Sequence, residues 1–164
     1  FSSVLRALAR TGVAVVAAAG NGGTNHEFYP AAFAVEGGYD LPVTSVGAHN
    51  PDGCTVSAYS NTGHWVHAYR CGTAVVSTMP TTFNGSLQSV LHQAGAADPA
   101  RGSSDPDDYS SGFALWSGTS FAAPAYAGDI AASLFGDGWC EDSDPSTRVE
   151  ALAKAVATLE DGEA

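Results

Sequence analysis

An uninterrupted apolar run near the start of the chain constrains its fold more than any other sequence feature. Val13 to Ala19 contains only valine and alanine, which is typical of a strand buried on both faces of a parallel sheet. The preceding segment, Phe1 to Arg10, places its apolar residues along one stripe and is predicted to be a helix, with Gly12 ending it. A helix, a glycine and a buried strand in this order indicate a crossover unit of an α/β protein.

Four further segments have the composition of strands. They are Pro42–Ala48, Val56–Ser60, Trp65–Tyr69 and Thr73–Met79. Because Asn61-Thr62-Gly63 is a turn signal between the second and third of these segments, we expect an antiparallel hairpin in the region of residues 56 to 79.

Three more segments have the composition of helices. They are a short one at Ser86–Gln93, an apolar one rich in small residues at Thr119–Phe135, and an amphipathic one at Ser146–Leu159. Asp144-Pro145-Ser146 is a start signal for the last of them. Together these elements predict a three-layer α/β/α fold with a mainly parallel sheet, helices on both faces, and the helix from Thr119 buried at its centre.

Composition limits the kinds of partner that the chain can bind. Its 164 residues carry 17 acidic against 6 Lys and Arg side chains, a formal net charge of −11. Such a chain repels phosphate backbones, so we expect no nucleic-acid partner. No apolar run approaches the roughly 20 residues that span a membrane.

The region from about residue 81 to 112 differs from the rest of the chain. Gly95 to Gly112 is rich in Asp, Pro, Ser and Gly and has almost no large apolar residue. This composition predicts a polar insertion at the surface. Its acidic run, Asp105, Asp107 and Asp108, is predicted to be solvated, with a structural calcium ion as the alternative because hard oxygen ligands cluster there.

The stretch from Ser117 to Pro124 (Ser-Gly-Thr-Ser-Phe-Ala-Ala-Pro) carries the strongest chemical signal. Ser120 lies at the predicted start of a helix, where unpaired N–H groups and the helix dipole favour a negative oxygen. Gly118 has no Cβ, so a substrate carbonyl can approach it closely. The alternative is that Ser120 is an ordinary helix-capping serine.

Asn21 follows the end of the first predicted strand. In α/β proteins, ligands bind in the crevice outside the carboxyl ends of the parallel strands. The side-chain amide of Asn21 is a neutral donor that can stabilise an oxyanion there. The alternative is a plain turn asparagine.

Taken together, these stretches resemble the subtilisin-like serine peptidases. The family's nucleophile motif, Gly-Thr-Ser-x-Ala-x-Pro, matches Gly118 to Pro124, and its Ala-Ala-Gly-Asn matches Ala18 to Asn21. Further family-like segments follow in family order: Tyr29-Pro30-Ala31, Val46-Gly47-Ala48, Ser57 to Gly63, and Gly72 with Ser77 to Pro80.

The resemblance implies a serine endopeptidase in which Ser120 is the nucleophile and Asn21 holds the oxyanion. It also implies substrate contacts for Ala18, Gly20, Gly118, Thr119 and Phe28, with Glu27 beside Phe28 in the primary specificity pocket. A peptide or protein substrate, no required cofactor, and an extracellular or cell-envelope location are further expectations. The alternative is a non-catalytic pseudopeptidase or binding module that retains the fold.

The sequence departs from the family pattern in three respects. The family places a catalytic Asp and His before the Asn strand, but the 20 residues before Asn21 contain neither motif. Ser120 follows Asn21 by 99 residues, more than compact members need, and Cys71 replaces a proline before Gly72. We therefore expect residues 1–164 to be the C-terminal part of a peptidase domain, with the Asp and His supplied by a missing N-terminal portion or by a partner chain.

Two consequences are expected for this chain by itself. Without a base, the Ser120 hydroxyl stays protonated, so the chain should have essentially no activity. None of its five histidines (His26, His49, His64, His67 and His92) lies in a family-like motif that would replace the base. Its two-sided strands lack neighbours, so it should also aggregate or pack loosely, and a separately supplied N-terminal fragment should rescue it.

The three cysteines, Cys54, Cys71 and Cys140, contain no C-x-x-C pair, so neither a zinc site nor a redox site is indicated. Two readings stay open: a disulfide between Cys54 and Cys71, or three free thiols.

Overall fold

The computed structural model describes residues 1–35, 43–83, 92–93, 101–102, 107–136 and 144–161. The chain forms two compact units. The first unit comprises Phe1–Val75 and Ser117–Ala164, and the second comprises Val76–Trp116.

The first unit alternates helices and strands. Its helices are α1 (Ser2–Arg10), a short 3₁₀ helix (Ala31–Val35), α2 (Thr119–Gly136) and α3 (Pro145–Asp161), and its strands are β1 (Val16–Ala18), β2 (Thr44–His49) and β3 (Ala68–Cys71). The predicted helices at residues 1–10, 119–135 and 146–159 are therefore confirmed within a residue or two.

The three strands form one parallel sheet in the order β1-β2-β3. Val16 lies opposite Thr44, and Val46 lies opposite Ala68. Backbone bonds from Thr44 N to Val15 O and from Ala19 N to Val46 O, both 2.9 Å, extend the pairing beyond β1. The prediction of an α/β fold built on a parallel sheet is confirmed.

Helices α2 and α3 pack on one face of the sheet. Their buried side chains, Ala122, Tyr126, Ile130, Leu152 and Ala155, form one cluster with residues of β2 and β3. Alanines at the contact let α2 lie close to the strands, and Arg70 of β3 donates to Asp129 of α2 at 2.6 Å. The expectation that the helix from Thr119 is buried is confirmed for its sheet-facing side, while Ala125, Ala127 and Gly128 are exposed in the described part of the chain.

The opposite face of the sheet is covered by smaller pieces of chain. A second cluster joins Ala17 and Ala19 of the β1 segment to Ala31 and Ala32 of the 3₁₀ helix and to Trp65. The Trp65 side chain is fully buried, and its indole N–H donates to Asn25 O at 3.3 Å. Leu5 of α1 belongs to the same cluster, so in the described residues both α1 and the 3₁₀ helix contribute to this face.

The antiparallel hairpin predicted in the region of residues 56 to 79 is wrong. Val56 makes an isolated antiparallel bridge to His49, the chain then turns, and β3 joins the sheet parallel to β2. Ser60 N donates to Ser57 O at 2.8 Å, which closes a turn where a strand was expected. Short polar side chains explain the difference, because Ser60 Oγ accepts from Ala48 N at 3.0 Å and so replaces a strand-type bond.

The second unit contains short strands, and the predicted polar insertion at about 81–112 lies within it. Strand β4 (Val75–Thr78) begins at the last residue of the first unit and pairs with β7 (Phe113–Trp116). Strands β5 (His92–Gln93) and β6 (Arg101–Gly102) pair antiparallel. The predicted strand at 73–79 is thus confirmed in part. The helix predicted at Ser86–Gln93 is wrong at residues 92 and 93, and its remaining residues lie outside the described ranges.

Candidate active site

The site begins where β1 ends. Gly20 has a φ of +100°, a left-handed conformation that side-chain-bearing residues rarely adopt. A Cβ on Gly20 would lie 2.6 Å from Asn61 Nδ2 and 3.0 Å from Phe28 Cδ1. Both the conformation and the crowding require glycine here. The turn carries Asn21 from the sheet edge to an exposed position.

Asn21 is held against the N-terminus of α2. Its Oδ1 accepts two hydrogen bonds from Thr119, one from the backbone N and one from the hydroxyl, each 2.9 Å. The Thr119 hydroxyl in turn accepts from Gly20 N at 3.1 Å. Because Oδ1 is fixed in this way, the Nδ2 group is on the other side of the amide. It lies 3.3 Å from the position that a Cβ on Gly118 would occupy.

Ser120 is exposed in the first turn of α2, directly after the buried Thr119. Phe121 N donates to Gly118 O at 3.0 Å, so the helix is already formed at this point. The N–H groups of a first turn have no helical acceptors. A serine hydroxyl, the N–H groups of a first helical turn and the Asn21 amide therefore lie at one end of α2.

Gly118 is anchored to the end of β3. Its N–H donates to Gly72 O at 2.8 Å. A Cβ on Gly72 would lie 2.7 Å from Ala48 Cβ and 2.8 Å from Gly118 O. Only a glycine at position 72 lets β3 approach the serine loop this closely.

The remaining predicted substrate contacts lie around the same strand end. Phe28 is 52% exposed, and its ring flanks Gly20. Glu27 Oε2 accepts from Tyr29 OH at 3.1 Å. Ala18 is half-buried in β1 and packs toward the α2 cluster. Thr119 is almost fully buried, so its contribution is to hold Asn21 and Gly20.

Asn61 is a residue of the site that sequence reasoning missed. It is 2% exposed, and its side chain bonds to three backbone groups of residues 19 to 24. The sequence showed it as part of a turn signal and of the family-like segment from Ser57 to Gly63, without a role in the site. Neither signal shows which groups the Asn61 side chain bonds to, because those groups lie 37 to 42 positions away in the chain.

The four histidines whose side chains can be described do not bond to Ser120. His49 Nδ1 pairs with Asn50 O at 2.7 Å, His26 and His64 are exposed, and His67 is half-buried beside β3. The side chain of His92 lies outside what can be described.

The predicted acidic and metal features are only partly visible. Asp107 accepts from Tyr109 OH at 2.9 Å, and Asp108 accepts from Ser110 N at 2.9 Å, while Asp105 lies outside the described ranges. No group of three or more metal-ligating side chains occurs among the described residues. The structural calcium ion therefore stays a prediction that this structure does not test.

Two other features bear on the sequence expectations. Cys54 and Cys71 are exposed free thiols, and Cys140 lies outside the described ranges. In the part of the chain that the structure describes, no helix combines the length and apolarity needed to cross a membrane.

The fold and site define an α/β protein in which a serine at a helix N-terminus lies close to an amide donor at a strand end. This arrangement suits the stabilisation of an oxyanion during acyl transfer. A model of the subtilase family (Peptidase_S8) matches residues 2–158. The chain therefore belongs to the subtilase family, as its motifs indicated.

Solved structures agree on the fold. A cold-adapted subtilisin-like serine proteinase matches with a TM-score of 0.56 and 21% identity over 91% of this chain. The chain spans 40% of that protein's length. A search of curated proteins gave no significant match.

Proposed function

We propose that this chain carries the nucleophile and oxyanion site of a serine endopeptidase that works through an acyl-enzyme. The observation that carries the proposal is the fixed amide of Asn21. Two hydrogen bonds from Thr119 occupy Oδ1, so Nδ2 is left as a donor beside Gly118 and the start of α2. A donor held in advance where charge develops stabilises a transition state without reorganisation.

The proposed reaction has two balanced steps. Ser120 Oγ bonds to the carbonyl carbon of the peptide, its proton passes to a base, and the carbonyl oxygen becomes an oxyanion that Asn21 Nδ2 and Ser120 N–H receive. The intermediate collapses, the C–N bond breaks, and the leaving amine takes the proton. Water then repeats the sequence on the acyl-enzyme and releases the acid. No cofactor is required.

The base is expected from outside residues 1–164. A His oriented by an Asp, from a missing N-terminal portion or a partner chain, would take the proton from Ser120. We accordingly propose that the chain by itself is essentially inactive, since loss of the histidine costs about as much as loss of the whole triad. This comparison between loss of the histidine and loss of the whole triad was made on subtilisin, a member of the same family. An extracellular or cell-envelope location is part of the same proposal.

A fluorophosphonate probe tests the enzymatic proposal on the protein expressed from its complete reading frame. We expect covalent labelling of Ser120 and loss of labelling in Ser120→Ala. Ser117→Ala is the matched control, because Ser117 is an exposed serine three residues from Ser120 whose hydroxyl accepts from Ala74 N and has no part in the proposed reaction. Labelling that survives in Ser120→Ala, or a wild-type protein that does not react, would contradict the proposal.

The second candidate is a non-catalytic module that retains the fold. An upstream reading frame that carries neither an Asp-Gly motif nor a His-Gly-Thr-type motif would favour it. Peptide binding that persists without any labelling of Ser120 would support the module. The same labelling experiment therefore separates the two candidates.

A further inference from the structure

Asn61 joins three backbone groups on both sides of Asn21. Its Nδ2 donates to Ala19 O at 2.8 Å. Its Oδ1 accepts from Gly22 N at 2.9 Å and from Thr24 N at 3.3 Å. The side chain is 2% exposed, so water does not compete for these bonds. Both polar atoms of the Asn61 side chain, Oδ1 and Nδ2, therefore bond to the loop that carries Asn21.

The loop that Asn61 holds has little stiffness of its own. Gly20, Gly22 and Gly23 surround Asn21, and Gly20 and Gly23 have φ values of +100° and +58°. Glycine-rich backbone loses more conformational freedom on ordering than any other kind. Asn21 lies at the exposed tip of this loop, and its own anchor to Thr119 uses a single atom, Oδ1. A second constraint on the loop backbone therefore supports the two bonds from Thr119 that fix the amide of Asn21.

We infer that Asn61 is a positioning residue for the oxyanion donor Asn21. This inference rests on the proposed function and deepens it. Asn61 is buried and its side chain bonds to Ala19, Gly22 and Thr24 of the loop, so we expect it to act through the placement of Asn21. Placement matters because a shift of about 1 Å in a catalytic group can cost on the order of 100-fold in rate. The close approach of Asn61 Nδ2 to Gly20 is also the reason that position 20 has no room for a Cβ.

The loop is also attached by bonds that do not involve the Asn61 side chain, so a positioning role can be distinguished from a role in folding. Three backbone bonds attach residues 59–62 to the loop without the Asn61 side chain: Gly23 N to Tyr59 O, Asn61 N to Gly20 O, and Thr62 N to Thr24 O, at 2.8, 2.9 and 3.0 Å. A variant that loses only the side chain therefore keeps the loop attached. Asn61→Asp is a second variant, because it keeps the shape and the acceptor but replaces the donor that faces Ala19 O.

The test is a double-mutant cycle, in which kcat and KM are measured for variants of the protein expressed from its complete reading frame. Asn61→Ala should lower kcat by roughly 10- to 100-fold and change KM less than about threefold, because the lost interaction acts only in the transition state. The double variant Asn21→Ala/Asn61→Ala should be no slower than Asn21→Ala within about twofold, since Asn61 works through Asn21. Losses that multiply, or an active Asn61→Ala protein with unchanged kcat, would overturn the inference.

Two further measurements complete the design. Ser57→Ala is the matched control, because Ser57 is equally buried in the same turn but bonds to Thr73 and Asn50, away from the loop. It should leave kcat within about twofold of wild type. Amide hydrogen exchange at Gly22 and Thr24 should become at least about tenfold faster in Asn61→Ala.

Unchanged hydrogen exchange at Gly22 and Thr24 in Asn61→Ala would refute the positioning role of Asn61, whether or not the protein is a peptidase. By contrast, a wild-type protein that does not react with the fluorophosphonate probe contradicts the proposed function alone. The failure of the positioning role and the failure of the enzymatic proposal are therefore distinguishable.

Discussion

The backbone N–H and the hydroxyl of Thr119 both donate to the same atom, Oδ1 of Asn21, at 2.9 Å each. The residues lie 98 positions apart in the sequence. Their contact joins the end of the first strand to the start of the serine helix. The Thr119 hydroxyl also accepts from Gly20 N, so one side chain fixes two neighbouring residues of the loop.

The first prediction concerns this hydroxyl. Thr119→Val keeps the shape of the side chain but leaves the buried Gly20 N–H without its acceptor, so we expect a loss of about 1 to 3 kcal/mol in the free energy of unfolding. Catalytic labelling of Ser120 should slow as well. Urea denaturation and the rate of probe labelling measure the two effects. Thr119→Ser should restore both, and a Val variant as stable as wild type would contradict the assignment.

The second prediction concerns the contact between β3 and the serine loop. In Gly72→Ala the new methyl group would lie 2.8 Å from Gly118 O and 2.7 Å from Ala48 Cβ. Overpacking of this kind costs about 1 to 3 kcal/mol, and here it displaces Gly118. We expect reduced labelling of Ser120 together with a lower melting temperature. Gly53→Ala is a control in which the added methyl meets no neighbour, although its φ of +67° adds some strain.

The third prediction concerns substrate preference. The Phe28 ring flanks Gly20 at the end of β1, so it should occupy space in the primary specificity pocket. Phe28→Ala should raise kcat/KM for substrates with a large side chain before the scissile bond, relative to those with a small one. A panel of peptides that differ only at that residue measures the ratio. An unchanged ratio would place Phe28 outside the pocket.

The fourth prediction concerns pH. Asp144 caps α3, and the hydroxyls of Ser146 and Thr147 donate to its carboxylate, which holds the pKa of Asp144 well below its ordinary value of 3.8. A carboxyl group with a lowered folded-state pKa contributes stability above the unfolded value and loses it as the pH falls through the folded value. Asp144→Ala should therefore lower the melting temperature at pH 7.

The difference between the variant and wild type should shrink below about pH 4, where the unfolded-state carboxyl becomes protonated. Thermal unfolding of both proteins from pH 7 down to pH 2 measures it. Asp52→Ala should show the same trend, because the Cys54 N–H and the Thr55 hydroxyl and N–H lower the pKa of Asp52 as well. A difference that stays constant over the whole range would contradict the linkage.

The fifth prediction concerns solution behaviour. Val4 (59%) and Leu8 (36%) of α1 are exposed to solvent, as is Phe1 (84%) directly before the helix. A contiguous apolar stripe of this kind favours association. We expect the isolated 164-residue chain to aggregate, and Val4→Glu combined with Leu8→Glu to increase the monomer fraction in size-exclusion chromatography.

An N-terminal fragment supplied separately should have the same effect on the unaltered chain, because it would cover the stripe. A monomeric elution profile and a cooperative thermal transition for the unaltered isolated chain would show that this prediction is wrong.

Much of the fold could be predicted because its signals are local. The periodicity of residues 1–10, the β-branched run before Gly20 and the capping signal at Asp144 each depend on neighbours a few positions away. The hairpin prediction failed because Val56–Ser60 has strand composition, but its serines bond to backbone groups of other segments. Whether these serines bond to another segment or leave the strand intact depends on which strand lies beside them. Local composition does not encode that neighbour.

The sequence by itself determined the family and the parallel sheet, and it identified Ser120 and Asn21 as the candidate site residues, because both lie in contiguous motifs. Tertiary structure alone decided how the site is held. Three sets of hydrogen bonds hold it, and they join residues that lie 37 to 98 positions apart. They link Asn21 to Thr119, Asn61 to the glycine loop, and Gly118 to Gly72. These hydrogen bonds form only after the sheet and α2 have packed together, so no local sequence pattern predicts them.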